Sequence, residues 1–291
     1  MTIQPIAGQR PPWWRGDDPG HRLAGKRAFV TGAGTAPDGG LLGVGEAIAV
    51  LFAVQGARVA IADVAADRAE ATRQLVTAVG GDALVTVGDL TNVDENRRCV
   101  DEAASGLGGL DVVVNCAALP GGGGSPVDVD LEAWDAVIDL NLRAAFLVGR
   151  HAIPHLRDAG GGSIINVSSV AASLGHGSGA YAASKAGLEG LTRDWAYLHG
   201  RDNIRANSIE IGHIYTPMGN HGGDSVREVR RLSSLTAVEG TAWDVAWPSV
   251  FLASNESDWI TGVVLPVDAG TSSTGTFAMS MLNRNQPRVS R

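Results

Sequence analysis

The chain has 291 residues, 44% of them apolar, and a formal net charge of -8. That length suits one large α/β domain, and the acidic balance argues against nucleic acid and anionic membrane as partners. No apolar run approaches the roughly 20 residues of a membrane span, and the start of the chain lacks the apolar core of a signal peptide.

Residues 1–22 are rich in Pro, Gly and Asp and read as an arm outside the fold, with Trp13 and Trp14 as its apolar anchors. Residues 26–30 form a short apolar strand. A glycine-rich turn follows, Thr31-Gly32-Ala33-Gly34 to Gly43-Val44-Gly45, and then an apolar helix at 46–55. Strand, glycine turn and helix open a dinucleotide-binding βαβ unit. The glycines let the backbone approach a pyrophosphate whose charge sits at the helix N-terminus. The second strand, 58–62, is closed by Asp63, 18 residues beyond Gly45. A carboxylate there accepts hydrogen bonds from an adenosine ribose.

The alternation continues: helix 67–79, strand 83–87, helix 93–107, strand 110–114, and a long helix at 131–155 that holds Asn141. Cys99 and Cys116 have neither CxxC nor zinc spacing and read as buried thiols of a reducing, cytoplasmic compartment. No metal-ligand cluster is visible. The β-branched run 163–167 is a buried strand ending in Ser168 and Ser169. After a Gly/Ser loop, Tyr181 and Lys185 open an alanine-rich helix. Four residues apart, they share one face. An ammonium beside a phenol lowers its pKa, and a strand-end serine can hold a substrate oxygen. The set is suited to moving a proton on or off an alcohol.

Residues 203–209 are a sixth strand, residues 220–235 a lid whose Arg227, Arg230 and Arg231 form its solvated face, and Thr241 with Asp244 caps a further helix. The last strand is 263–267. Residues 23–273 form the catalytic unit and 274–291 a C-terminal extension, bearing Arg284, Arg288 and Arg291, that lies on a partner subunit. Near-continuous apolar strands alternating with helices give a parallel sheet covered on both faces.

These residues together resemble the short-chain dehydrogenase/reductase family from about 23 to 270. The resemblance rests on the glycine turn, Asp89, Asn115-Cys116-Ala117-Ala118, Asn141, Ser169, Tyr181 with Lys185, and Trp259-Ile260-Thr261-Gly262. It implies a single-domain, doubly wound Rossmann sheet of about seven strands, a nicotinamide cofactor, which Asp63 makes NAD(H), hydride transfer to or from an alcohol or ketone, and a homotetramer or dimer, of which the homotetramer is expected. By position, Tyr181 would be the general acid–base. Lys185 would lower its pKa and bind the nicotinamide ribose, Ser169 would hold the substrate oxygen, and Asn141 would keep a water in line. Cofactor contacts would fall on Gly32, Gly34, Gly43, Val44, Gly45, Asp63, Asp89, Leu90, Asn115, Ala117, Ile214 and Thr216, besides Tyr181 and Lys185. His176, Glu210 and His213 would flank the substrate.

The chain departs from the family pattern in three places. Its glycine turn is seven residues longer than Thr-Gly-x-x-x-Gly-x-Gly. Ile211-Gly212 stands for the family's Pro-Gly. Ser168 competes with Ser169, because the interval to Tyr181 is 13 from the former and 12 from the latter, and the strand context favours Ser169. Asp63 predicts NAD(H) over NADP(H) by at least about a hundredfold, since a 2′-phosphate would meet its charge. Arg68 is expected to face solvent from the following helix. Two other functions use the same residues: a dinucleotide-sensing binding protein, and an epimerase or dehydratase working through a transient ketone.

Overall fold

The computed structural model describes residues 21–34, 40–220 and 223–285. Expectations for Trp13, Trp14, Arg288 and Arg291 lie outside them. The elements follow as β1 Arg27–Thr31, α1 Val44–Val54, β2 Arg58–Asp63, α2 Ala66–Ala78, β3 Asp82–Val87, α3 Val93–Leu107, β4 Val112–Asn115, α4 Leu131–Ile138, α5 Ala144–Asp158, β5 Gly162–Ser169, α6 Gly179–His199, β6 Ile204–Ile211, β7 Ile214–Tyr215, α7 Gly223–Leu232, β8 Gly240–Thr241, α8 Ala242–Ala253, β9 Val264–Val267 and α9 Thr276–Asn285.

Seven strands form one parallel sheet in the order β3-β2-β1-β4-β5-β6-β9. The order reverses at β1, with β2 on one side and β4 on the other. In a doubly wound sheet the crevice for a ligand opens at the C-terminal ends of the strands at this point. The central strands are buried on both faces, which is why they lack the alternation of a half-exposed strand. Two apolar layers result. One packs α1 and α8 against Val30, Ile61, Val114, Ile165 and Ile209. The other packs α3, α5 and α6 against Phe29, Val113, Ile164 and Ala206. Each wholly buried Val, Ile or Phe contributes roughly 1.5–3 kcal/mol.

Three features differ from the sequence reading. The long helix at 131–155 is interrupted by a π turn, Asp139–Arg143, with Asn141 at its centre. Such a turn inserts a residue into the ladder and re-aims the side chains there. The C-terminal extension contains helix α9, and Asn283 Nδ2 donates to the Leu232 carbonyl of α7 at 2.9 Å. A small second sheet pairs β7 with β8, the strands on either side of α7 in the chain. Thr241 does begin α8: its N–H and hydroxyl both donate to Asp244 Oδ2, at 2.7 and 2.8 Å. At the other end of the chain Arg22 makes a two-bond ion pair with Glu256, and Leu23 is wholly buried.

Candidate active site

The C-terminal ends of β1, β2, β4, β5 and β6 bring most of the expected residues to one edge. Thr31 ends β1 and ties it to β4. Its hydroxyl donates to the Val114 carbonyl at 3.3 Å and accepts from the N–H groups of Cys116 and Ala117 at 3.1 and 3.2 Å. Gly32 has φ +62, and a Cβ there would strike Ala117, so only glycine turns the chain here. A Cβ on Gly45 would strike the Gly32 carbonyl, so α1 can start this close to the turn only with glycine. Gly43 is the N-cap of α1, and a Cβ there would meet nothing closer than Glu46 at 3.9 Å. The N-terminus of α1, with Val44 as its first residue, therefore faces the switch-point crevice.

Asp63 ends β2 with its side chain 10% exposed. Three donors converge on it: the Gly34 N–H on Oδ2 at 3.0 Å, and the Ala65 N–H and Arg68 Nη2 on Oδ1 at 3.0 and 2.8 Å. The expectation that Arg68 faces solvent is thus corrected. It lies in the first turn of α2, one turn from the strand end, and the carboxylate draws its guanidinium inward. Gly34 is packed over this pair, where a Cβ would stand 2.6 Å from Asp63 Oδ2.

At the end of β5 the two serines point to different partners. Ser168 is fully buried and donates to Glu189 Oε1 at 2.8 Å and to the Lys185 carbonyl at 3.3 Å. Ser169 stands beside the Tyr181 phenol and works to lower its pKa, and its Oγ accepts from the Ala171 N–H at 3.2 Å. Lys185 Nζ lies 5.6 Å from the centre of the Tyr181 ring and donates to the Val167 carbonyl at 2.7 Å. Burial pushes the lysine down to about 8. Burial also holds the Tyr181 phenol above its ordinary value, against the neighbouring Ser169, which lowers it. The sequence argument has Lys185 lower the phenol; in this arrangement burial is the largest influence on it and acts in the opposite direction.

Asn141 uses its whole side chain. Nδ2 donates to the Leu119 carbonyl at 2.9 Å and to Ser184 Oγ at 3.2 Å, and Oδ1 accepts from the Leu119 N–H at 2.7 Å. It pins the segment after β4 against α6. Asn115 donates to Asn166 Oδ1 at 2.8 Å, while its own buried Oδ1 has no partner among the described residues. Asp89 is exposed and accepts from the Thr91 N–H and hydroxyl, beside the buried Leu90. Ile214 and Thr216, at β7 and just after it, are both buried.

The three residues expected at the substrate are not equivalent. His176 is exposed and bonded to Ser178 at 2.9 Å. His213 is partly buried near Arg230, His176, Glu239 and Asp268; burial, then Arg230, lowers its pKa. Glu210 is 5% exposed and pairs in register with Ser168. It faces Ser173 and Glu189, and burial raises its pKa. The lid arginines also depart from a solvated face. Arg227 lies over the Tyr215 ring and pairs with Glu239 at 3.0 Å, and Arg231 pairs with Glu228 at 2.7 Å. Sequence reasoning misplaced Arg68 and missed Leu119. For Arg68 there was a signal, since a cation one turn into a helix can reach the acid that precedes it.

A nicotinamide dinucleotide fits these residues. A helix N-terminus opens on the crevice, two glycines sit where any Cβ would strike backbone, and Asn115 offers a buried acceptor with no partner.

Comparison with known proteins agrees. The family described as enoyl-(acyl carrier protein) reductase matches residues 28–272. The 3-oxoacyl-[acyl-carrier-protein] reductase FabG of Thermotoga maritima is 34% identical over 250 residues, covering 86% of this chain and 98% of the relative. The cis-4-hydroxycyclohexanecarboxylate dehydrogenase of Sinomonas cyclohexanicum is 34% identical over 252 residues, covering 86% and 98%. The crystal structure of levodione reductase superposes with a TM-score of 0.82 at 28% identity, covering 87% of this chain and 100% of that one. The chain belongs to the short-chain dehydrogenase/reductase family and is an oxidoreductase of that family. Among the described residues, no helix is long and apolar enough to cross a membrane.

Proposed function

We propose that the protein transfers a hydride between a secondary alcohol or ketone and NAD(H), with Tyr181 as the general acid–base. The observation that carries this reading is the Ser169 hydroxyl beside the Tyr181 phenol, with Lys185 Nζ 5.6 Å from the centre of its ring. A bound nicotinamide supplies the hydride acceptor or donor. The chain's own residues handle the oxygen and its proton. Ser169 and Tyr181 hold the substrate oxygen between them. In reduction, the phenol gives its proton to the forming alkoxide, and the raised pKa keeps that proton in place at neutral pH. In oxidation, the phenolate takes the hydroxyl proton, and Lys185 stabilises it from the buried side. Asn141 holds the segment after β4, so that α6 and the cofactor crevice keep their spacing.

Asp63 supports NAD(H) over NADP(H), but Arg68 offsets part of its charge. The expected preference is therefore above tenfold and below the hundredfold of a lone carboxylate. The exposed apolar side chains Leu131, Phe146 and Leu198 on α4, α5 and α6 support pairing of those helices in a homotetramer. The named substrate of the Sinomonas relative carries its hydroxyl on a cyclohexane ring, so ring alcohols and ketones should open the substrate panel. Absorbance of reduced nicotinamide, followed with each compound and NAD+ or NADH, tests the reading. Turnover on at least one compound supports it. Binding of the dinucleotide without turnover across the panel would favour a sensor.

A further inference from the structure

Arg230 differs from its neighbours on α7. Arg227 is paired with Glu239 and Arg231 with Glu228. Among the described residues Arg230 has no ion pair, and its Nη1 is shut off from solvent without a hydrogen-bond partner. A buried guanidinium N–H left unmatched costs stability, so its retention calls for a reason. Its surroundings supply one. A Cβ on Gly219 would lie 3.6 Å from Arg230 Nη1 and 3.5 Å from Thr216 Oγ1, which places the guanidinium beside the turn 216–219. His213, which follows β6, feels the charges of Arg230 and of His176, a residue of the loop that leads to Tyr181. The acids nearby are already matched. Glu239 holds Arg227 through Oε2 at 3.0 Å, although its buried Oε1 has no partner among the described residues. Asp268 accepts from the N–H groups of Gly270 and Ser272 at 2.8 and 2.6 Å. Arg230 is therefore the unmatched charge of this cluster, and its planar fork suits a carboxylate.

We propose that Arg230 is a specificity-determining residue that binds a carboxylate carried by the substrate. The inference rests on the hydride-transfer reading above and names its substrate class: an alcohol or ketone that is also an acid. The cofactor's pyrophosphate is the competing anion, but the N-terminus of α1 and its glycines already provide for it. A substrate without the carboxylate leaves the guanidinium N–H as unmatched as it is in the free protein. A site built around a charged donor rejects such an analogue more strongly than an apolar pocket could.

The test is the binding of unreactive ring acids to the intact protein saturated with NAD+, by titration calorimetry. Cyclohexanecarboxylate and cyclohexylacetate, which differ in reach, are each compared with the matching neutral amide. The proteins are wild type, Arg230→Ala and Arg230→Gln, the last keeping a polar stem should the shorter side chain disturb the lid. Wild type should favour at least one acid over its amide by about tenfold or more, and both variants should bring that ratio to within about threefold of one. NAD+ affinity, measured first in each form, should stay within about threefold of wild type. Equal binding of acid and amide by wild type, or an acid preference that both variants keep, would overturn the proposal. A loss of NAD+ affinity of about tenfold in both variants would assign the guanidinium to the cofactor's phosphates and overturn it likewise. The hydride-transfer reading is scored separately, by turnover on the alcohol and ketone panel. No turnover there, with an acid preference that disappears on substitution, would count against that reading and leave the carboxylate site at Arg230 standing.

Discussion

Replacing Lys185 by Met should stabilise the protein at neutral pH while destroying its activity. Lys185 is 2% exposed, and burial moves its pKa from 10.5 in the unfolded chain to about 8 in the folded one. Between those values the unfolded state binds more protons than the folded state, so this residue's contribution to stability rises with pH. Below about pH 8 the full penalty applies, about 3 kcal/mol at 1.36 kcal/mol per unit. The methionine removes that penalty but leaves the Val167 carbonyl without its donor, a loss of about 1 kcal/mol. The net gain at pH 7 is about 2 kcal/mol, and it should vanish near pH 10, where most of the penalty has already gone. Urea unfolding followed by tryptophan fluorescence at both pH values measures the difference. A Lys185→Met protein less stable than wild type at pH 7, or one whose gain is the same at pH 7 and pH 10, would refute the reasoning. The stabilised protein should lack turnover, the usual relation between a strained functional group and stability.

Gly34→Ala and Gly43→Ala should separate two glycines that look alike in sequence. A Cβ at Gly34 stands 2.6 Å from Asp63 Oδ2 and 2.9 Å from Arg68 Cβ, whereas at Gly43 the nearest atom is 3.9 Å away. Calorimetry should show NAD+ binding weakened about tenfold by the first and nearly untouched by the second; equal effects would contradict the packing account. Phe146, 42% exposed on α5, should lie in the subunit interface. Light scattering should report a tetramer for wild type and smaller species for Phe146→Glu, and a wild-type monomer would contradict the assembly.

Much of the sheet was legible in sequence because a parallel sheet covered on both faces leaves a plain mark. Residues 58–62 and 163–167 are apolar, short and bounded by turns, and the strands form there with an extra residue or two at the ends. Tyr181 and Lys185 were legible because helix geometry alone puts them on one face. What sequence did not disclose depends on contacts between elements. The π turn around Asn141 adds one residue to the ladder and leaves the apolar periodicity of 131–155 nearly intact. The turning of Arg68 onto Asp63 follows from how closely α2 starts after β2. The raised pKa of Tyr181 reflects how much of its surroundings is protein, which spacing to Lys185 does not report. The short helix α9 docks through Asn283 on α7, a contact without a local sequence signal.

The most direct test of the account is Tyr181→Phe, which removes one hydroxyl and keeps the ring. Steady-state turnover on the best alcohol of the panel should fall about a thousandfold, within the range one positioned acid–base group supplies. Dinucleotide affinity, measured on the same preparation, should stay within about threefold of wild type. Turnover within a few-fold of wild type would contradict the assignment of Tyr181 as the residue that moves the proton.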